Sequence, residues 1–295
     1  MQKARRCGMG NRMIGIFDSG LGGLTVLRTL VARFPHEHFV YFGDQANVPY
    51  GNRSSDEVVA LTRAGVEYLF SAGCGLVLLG CNTATAVAAR TLQRDWLAVS
   101  QFSGRKILGI VAPTVEAATQ TPWAITTPQY PQKNNTDLIA VFGTTRTITS
   151  NVFREEILKR CPRVQVVQQV CAELAGAIEA AASEAALDAI VARDVATLIA
   201  ELSGAAPHRA ILGCTHFPIV EHLFRRHLPA STRLLSQPVI VADSLEDYLT
   251  RHPQLGYTGS EHAAALIKLC TSGEPAQVDR LARVFWQDCP AFSKA

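Results

Sequence analysis

The sequence predicts an α/β protein of two pseudo-symmetric, doubly wound domains, each with a parallel sheet and with the working site in the cleft between them. Two observations predict it. Short apolar runs alternate with helix-length amphipathic segments along most of the chain, the rhythm of strands and helices wound into parallel sheets. The strand ends also recur in pairs. Ile14-Gly-Ile-Phe17 runs into Asp18-Ser19-Gly20, and Ile139-Ala-Val-Phe142 into Gly143-Thr144-Thr145. Leu76-Val-Leu-Leu-Gly80 runs into Cys81-Asn82-Thr83, and Ala210-Ile-Leu-Gly213 into Cys214-Thr215-His216. Ile14 and Ile139 lie 125 residues apart, Cys81 and Cys214 lie 133 apart, and so similar an offset points to an internal repeat. Chance similarity of two common strand-turn-helix units is the alternative.

The elements follow in order. Strands are expected at Ile14–Phe17, Phe39–Phe42, Leu76–Leu79, Ile107–Val111, Leu138–Phe142, Val164–Val167 and Ala210–Leu212, each an apolar run too short for a helix. Helices are expected at Leu24–Phe34, Ser55–Ala72, Ala84–Asp95, Ser150–Lys159, Ala185–Ser203 and Ile219–Leu228. Thr119–Asp137 breaks the rhythm with Pro122, Pro128, Pro131 and a polar run, and reads as a mobile surface insertion. Gln237–Ala295 carries helix signals at Ala242–Thr250 and Ser260–Leu269 and is expected to return to the first half. The first domain then comprises residues 13–112 plus 238–295 and carries Cys81. The second comprises 113–237 and carries Cys214. Residues 1–12 are expected to be a flexible extension, with Met13 as an alternative start, and the last few residues to fray.

Composition excludes several classes. Of 295 residues, 48% are hydrophobic and 18% charged, which fits an ordered core and not a disordered chain. The net charge is +3 and the cations are scattered, so no basic stripe marks a nucleic-acid partner. Arg225-Arg226-His227 reads as a solvated helix end. No run approaches the ~18 apolar residues of a membrane helix. Arg5-Arg6 has no apolar segment behind it, since Asp18 interrupts the only candidate, so a signal peptide is not expected. Eight cysteines stand at irregular spacing without a CxxC pair. That fits reduced thiols in a cytoplasmic protein.

A Gly-Cys turn closing a strand and opening a helix places sulfur at free N–H groups and a positive dipole end. Both favour a thiolate and an anionic ligand. Thr83, Thr85 and Thr215 can donate to a carboxylate, and Asn82 can meet an amino or a carboxylate group. Two such cysteines facing one cleft suit inversion of a stereocentre, which needs a base on one face of a carbon and an acid on the other. Asp18 and His216 are the nearest proton helpers. Their alternative roles are local, since either can cap the helix that follows. Ser19-Gly-Leu-Gly-Gly23 lacks the Lys-Ser/Thr ending of a Walker loop. Cys81, Cys214 and His216 lack a further ligand at a zinc spacing, and no lysine follows a strand end to hold pyridoxal. No metal and no cofactor are therefore expected.

The stretch Ile14-Gly-Ile-Phe-Asp-Ser-Gly-Leu-Gly-Gly-Leu-Thr-Val26 resembles the opening signature of bacterial glutamate racemases. Tyr41-Phe-Gly-Asp44 with Val48-Pro-Tyr-Gly51, Gly80-Cys-Asn-Thr-Ala84 and Leu212-Gly-Cys-Thr-His-Phe-Pro218 resemble that family's later motifs, in the same order. The resemblance spans Met13 to Leu228, with a fainter trace at Tyr257-Thr258-Gly259. Aspartate and hydantoin racemases and arylmalonate decarboxylases lack the Asp-Ser-Gly-x-Gly-Gly opening. The resemblance implies cofactor-independent interconversion of L- and D-glutamate, supplying D-glutamate for peptidoglycan. It implies that Cys81 takes the proton from D-glutamate and Cys214 from L-glutamate, assisted by Asp18 and His216. It implies that Asp18, Ser19, Tyr50, Gly51, Asn82, Thr83, Thr215 and His216 hold the substrate, with Asp44 and Glu179 as supporting acids. The alternatives are a racemase for another small amino acid, such as aspartate, and a non-enzymatic amino-acid-binding protein with inert thiols. A homodimer is compatible with either.

The chain departs from the family pattern at several places. Ala46-Asn47-Val48 stands where Ala-Arg-Val is usual, and Gly176 replaces a proline in Gln169–Glu179. Leu234-Leu-Ser-Gln237 lacks the usual Asp-Ser, and the Thr119–Asp137 insertion is additional. None of these removes a proton-transfer residue.

Overall fold

The computed structural model describes residues 13–132, 136–257 and 265–295. The expected extension at 1–12 and Thr258-Gly259 lie outside the described residues. In chain order the strands are β1 (Met13–Asp18), β2 (Phe39–Gly43), β3 (Cys74–Leu79), β4 (Lys106–Gly109), β5 (Leu138–Gly143), β6 (Gln165–Val170), β7 (Arg209–Gly213), β8 (Arg233–Leu235), β9 (Ile267–Thr271) and β10 (Phe292–Lys294). The helices are α1 (Leu24–Arg33), α2 (Ser55–Ser71), α3 (Asn82–Thr91), α4 (Val111–Thr119), α5 (Thr145–Thr149), α6 (Val152–Arg160), α7 (Leu174–Glu179), α8 (Glu184–Glu201), α9 (Glu221–His227), α10 (Gln237–Arg251) and α11 (Pro275–Ala282).

Two sheets form, ordered β10-β9-β2-β1-β3-β4 and β6-β5-β7-β8, and every pairing is parallel. The run 2-1-3-4 of the first sheet recurs as 6-5-7-8 in the second, so the repeat in the sequence is a repeat of topology. Every residue of β2 and β5 is buried, as expected where helices cover both faces of a parallel sheet. That two-sided burial is why these strands read as unbroken apolar runs. The direction of winding reverses between β1 and β3 in one sheet and between β5 and β7 in the other. In such sheets the crevice beyond these strand ends receives the ligand. One buried apolar cluster runs from Ile14 and Leu76 through Cys214 and Phe217 to Phe142, joining the two halves.

Several elements differ from expectation. β4 stops at Gly109, and Val111, expected in a strand, opens α4. Pro113 is tolerated there because the first turn needs no N–H from it. The helix expected over Ser260–Leu269 is not formed at its described end: Ile267–Thr271 is β9, paired with β2 on one side and β10 on the other. Its first part, through residue 264, lies outside the described residues. The chain end is not frayed, since Phe292–Lys294 forms β10 with Phe292 buried and its N–H bonded to Asp279.

The Thr119–Asp137 segment, apart from residues 133–135 outside the described set, is also more than a surface loop. Trp123 packs against a further buried apolar cluster that includes Ile139, Val141 and Phe153, and the Arg160 guanidinium lies 4.3 Å over its ring. Arg160 also donates to Trp123 O at 2.6 Å, and Gln132 Nε2 donates to Arg160 O. The basic cluster ends α9 as expected, with Arg225 on Glu221 and Arg226 and His227 on Asp188. Among the described residues no helix is long and apolar enough to cross a membrane.

Candidate active site

The loops after β1, β3, β5 and β7 meet in one cavity of about 100 Å³, lined among others by Ser19, Tyr50, Gly51, Cys81, Asn82 and Thr83 from one half. Thr144, Thr147, Glu179, Cys214, Thr215 and His216 line it from the other. One water needs roughly 10–15 Å³ on this measure, so the cavity suits a small molecule of about ten heavy atoms. Both cysteines line it, and each is only 6% exposed. Cys81 caps α3: its Sγ accepts from Ala84 N at 3.4 Å and lies 3.3 Å from Ser19 Oγ. Cys214 Sγ lies 3.6 Å from His216 Nδ1, and His216 Nε2 lies 2.8 Å from Glu179 Oε1.

The two thiols sit in unlike surroundings. Burial, with the Asp18 charge adding to it, pushes the Cys81 thiol up to about 12, so it holds its proton at neutral pH. Burial opposes a charged His216, but the Cys214 and Glu179 charges outweigh it and hold the ring well above the usual imidazole range. His216 is thus a proton-bearing partner for one thiol, while Cys81 is itself proton-bearing. Asp18 is raised to about 6 by burial, against the pull of His216 and of the Gly20 N–H. The Gly20 N–H reaches Asp18 Oδ1 at 2.6 Å, and Thr215 Oγ1 lies 3.5 Å from Oδ2. Asp18 therefore acts on Cys81 through its charge, and the side chain in contact with that thiol is Ser19.

The glycine loop after β1 has a steric role. A methyl group on Gly22 would stand 2.4 Å from His216 Nδ1 and 2.5 Å from Thr215 Oγ1. The loop backbone of the first half presses directly on the Cys214 turn of the second, which only glycine permits.

The remaining expected residues are held from beneath. Tyr50 donates to Asp44 Oδ2 at 2.6 Å, and Asp44 also accepts from Asn47 and Ser272. The Tyr50 hydroxyl proton is thereby spent, and Tyr50 and Gly51 line the cavity. Asn47, in the place of the usual arginine, closes on both Asp44 oxygens at 2.9 and 3.1 Å. Thr83 Oγ1 lies 3.1 Å from Thr144 Oγ1 and 3.2 Å from Thr147 Oγ1, a hydroxyl triangle across the two halves. Asn82 pairs its amide with Gln237. Thr85 turns away from the cavity and donates to Leu79 O at 3.1 Å.

Thr144, Thr147 and Gln237 were not singled out from the sequence. Thr144 carried a usable signal, since it follows β5 where Ser19 follows β1. Gln237 carried none, being 155 residues from Asn82. Among the described residues no group of three or more His, Cys, Asp or Glu is placed to hold a metal ion.

No family model matches the chain. It is 46% identical over 286 residues to the glutamate racemase of Phenylobacterium zucineum, covering 96% of this chain and 99% of that protein. It is 47% identical over 277 residues to that of a Caulobacter species, covering 92% and 96%. The fold is similar to the glutamate racemase of Francisella tularensis solved with D-glutamate, with a TM-score of 0.79 at 22% identity over 96% of each chain. Identity of this extent over nearly the whole of both chains leaves one assignment: the chain belongs to the glutamate racemase family.

Proposed function

We propose that the chain interconverts L- and D-glutamate by removing the α-proton with one of two opposed cysteine sulfurs and delivering a different proton to the opposite face from the other. The observation that carries this is the placement of Cys81 and Cys214 at topologically equivalent strand ends, lining one small cavity. For L-glutamate, the Cys214 thiolate takes the α-proton and the Cys81 thiol delivers its own to the opposite face. The product is D-glutamate, with the proton now on Cys214 and the charge on Cys81. The reverse direction runs the same steps backwards. The asymmetry of the site supports this reading, because Cys81 holds its proton and His216 bears one beside Cys214. Asp18 bears on Cys81, and Glu179 orients His216 and sustains its charge. Asn82, Thr83, Thr215, Ser19 and the Tyr50-Gly51 turn hold the two carboxylates and the ammonium group, and Asp44 fixes Tyr50.

Such a reaction needs both sulfurs reduced, and the seven described cysteines are all free. That favours a reducing, cytoplasmic location. Sedimentation velocity tests whether the chain forms a homodimer. The activity is tested with L-glutamate in D₂O and chiral separation of the product. D-glutamate bearing deuterium at the α-carbon is expected, at a rate unaffected by chelators. Full retention of the substrate proton in both directions, or no turnover, sinks the mechanism.

A further inference from the structure

We propose that Gln237, with Thr114 behind it, is a positioning residue for substrate binding, fixing which way round the Asn82 amide meets its ligand. Gln237 is fully buried at the start of α10, where the chain leaves β8 and crosses between the halves. Its Oε1 accepts from Asn82 Nδ2 at 2.6 Å, and its Nε2 donates to Asn82 Oδ1 at 2.9 Å. The same Nε2 lies 2.9 Å from Thr114 Oγ1. Thr114 stands on α4, at the other crossing between the halves.

The polarity of this chain of bonds is forced from one end. Thr114 Oγ1 lies 2.7 Å from the Ile110 carbonyl, and a carbonyl can only accept. The single hydroxyl proton of Thr114 is therefore spent, and the Gln237 atom facing Thr114 must be a donor. That makes it Nε2. The Gln237 carbonyl then faces Asn82, and Asn82 must present Nδ2 to it. A turned Asn82 amide would set N–H against N–H and O against O, leaving buried groups unpaired, which is disfavoured. What Asn82 keeps for the cavity it lines is one Nδ2 proton and one Oδ1 lone pair, in fixed places. A carboxylate and an ammonium group can be told apart by such a pair.

The proposal rests on the reading of Asn82 as a substrate ligand, and the test separates the two. Steady-state kinetics are measured for Asn82→Ala, Gln237→Met, Thr114→Val and Thr114→Ser, with thermal unfolding of each. Asn82→Ala and Gln237→Met are expected to raise KM for both enantiomers about tenfold or more, with kcat changed less than roughly threefold, as for an interaction equal in ground and transition states. Thr114→Val, which keeps the shape but removes the polarity reference, is expected to raise KM several-fold, and Thr114→Ser to restore it. If Asn82→Ala raises KM while Gln237→Met and Thr114→Val only lower the melting temperature, Gln237 merely ties the fold together and the proposal fails. An unchanged KM in Asn82→Ala overturns the reading of Asn82 and the proposal with it. Should Gln237→Met not fold, the Val and Ser variants at Thr114 still decide by their difference in KM.

Discussion

Glu179 Oε1 lies 2.8 Å from His216 Nε2, and the other ring nitrogen of His216 points at Cys214 Sγ 3.6 Å away. A carboxylate from α7 thus fixes the ring and favours its charged form, one link removed from the reacting sulfur. Glu179→Gln keeps a hydrogen-bond partner and deletes the charge that helps to raise His216. The His216 pKa then falls. The alkaline limb of kcat/KM is expected to move to lower pH, and the rate at pH 8 to drop about tenfold or more, ~1.4 kcal/mol. A pH-rate series on the two proteins checks this, and superposable profiles would show that Glu179 does not act through the ring.

Asp18 gives a prediction on stability. Its carboxyl titrates at 3.8 when unperturbed and at about 6 in the folded chain, because burial penalises the charge. Between those values the folded state holds a proton that the unfolded state has released. Raising the pH through this window therefore weakens folding, by about 3 kcal/mol once past it. Asp18→Asn retains an oxygen for the Gly20 N–H and cannot ionise. Urea midpoints of the variant should gain on those of the natural chain between pH 4 and pH 7, while its activity falls. A difference independent of pH would show that the charge is not penalised by burial.

The parts of the fold that were legible in the sequence are those whose local and tertiary preferences agree. β1, β3, β5 and β7 are central strands, buried on both faces; β3, β5 and β7 end in Gly-polar turns and β1 in Asp18-Ser19-Gly20. β9 was not legible. Its approach, Ala263-Ala-Ala-Leu-Ile267, has high local helix propensity, and Lys268 interrupts the apolar run. Pairing with β2 and β10 overrides that propensity. Of the site, both thiols, Asp18, His216 and Glu179 were within reach, since motif and turn chemistry mark them. Gln237 and Trp123 were not, because each is defined by a partner far along the chain, Asn82 for the first and Arg160 for the second.

The Thr119–Asp137 segment is expected to behave as two parts. Arg160 is fully buried, paired with Glu156, and roofed by the Trp123 ring, while the Trp123 backbone N–H donates to Glu116 Oε1 at 2.6 Å. Trp123→Ala opens this roof over a buried cation and should lower stability by about 3 kcal/mol or more. Residues 126–130 carry no such load, and Tyr130 is 71% exposed. Replacing them with a short Gly-Ser linker should leave the melting temperature nearly unchanged and kcat/KM within about tenfold, ~1.4 kcal/mol. Thermal unfolding of the two variants side by side checks the division, and equal losses would erase it.

The two cysteines should be separable even though racemisation itself hides their division of labour. The substrates are mirror images, so the equilibrium constant is one and kcat/KM is equal in both directions for any variant. Cys81→Ser and Cys214→Ser must therefore depress both directions together, on the order of 10²–10⁴-fold for a lost acid-base group. The asymmetry returns with a glutamate analogue bearing a leaving group on nitrogen. There one base removes the α-proton, the electron pair forms the carbon-nitrogen double bond, and the leaving group departs with its own pair. No acid on the opposite face is needed. Cys214→Ser should still process the D analogue through Cys81, and Cys81→Ser the L analogue through Cys214. The unlike surroundings of the two thiols set an order on these rates: Cys81, whose thiol is raised to about 12, starts protonated, while His216 bears a charge beside Cys214. The L analogue in Cys81→Ser should therefore react faster at pH 7 than the D analogue in Cys214→Ser, and the gap should narrow as the pH rises. Should either variant eliminate both enantiomers at the same rate, the thiols do not face opposite sides of the substrate.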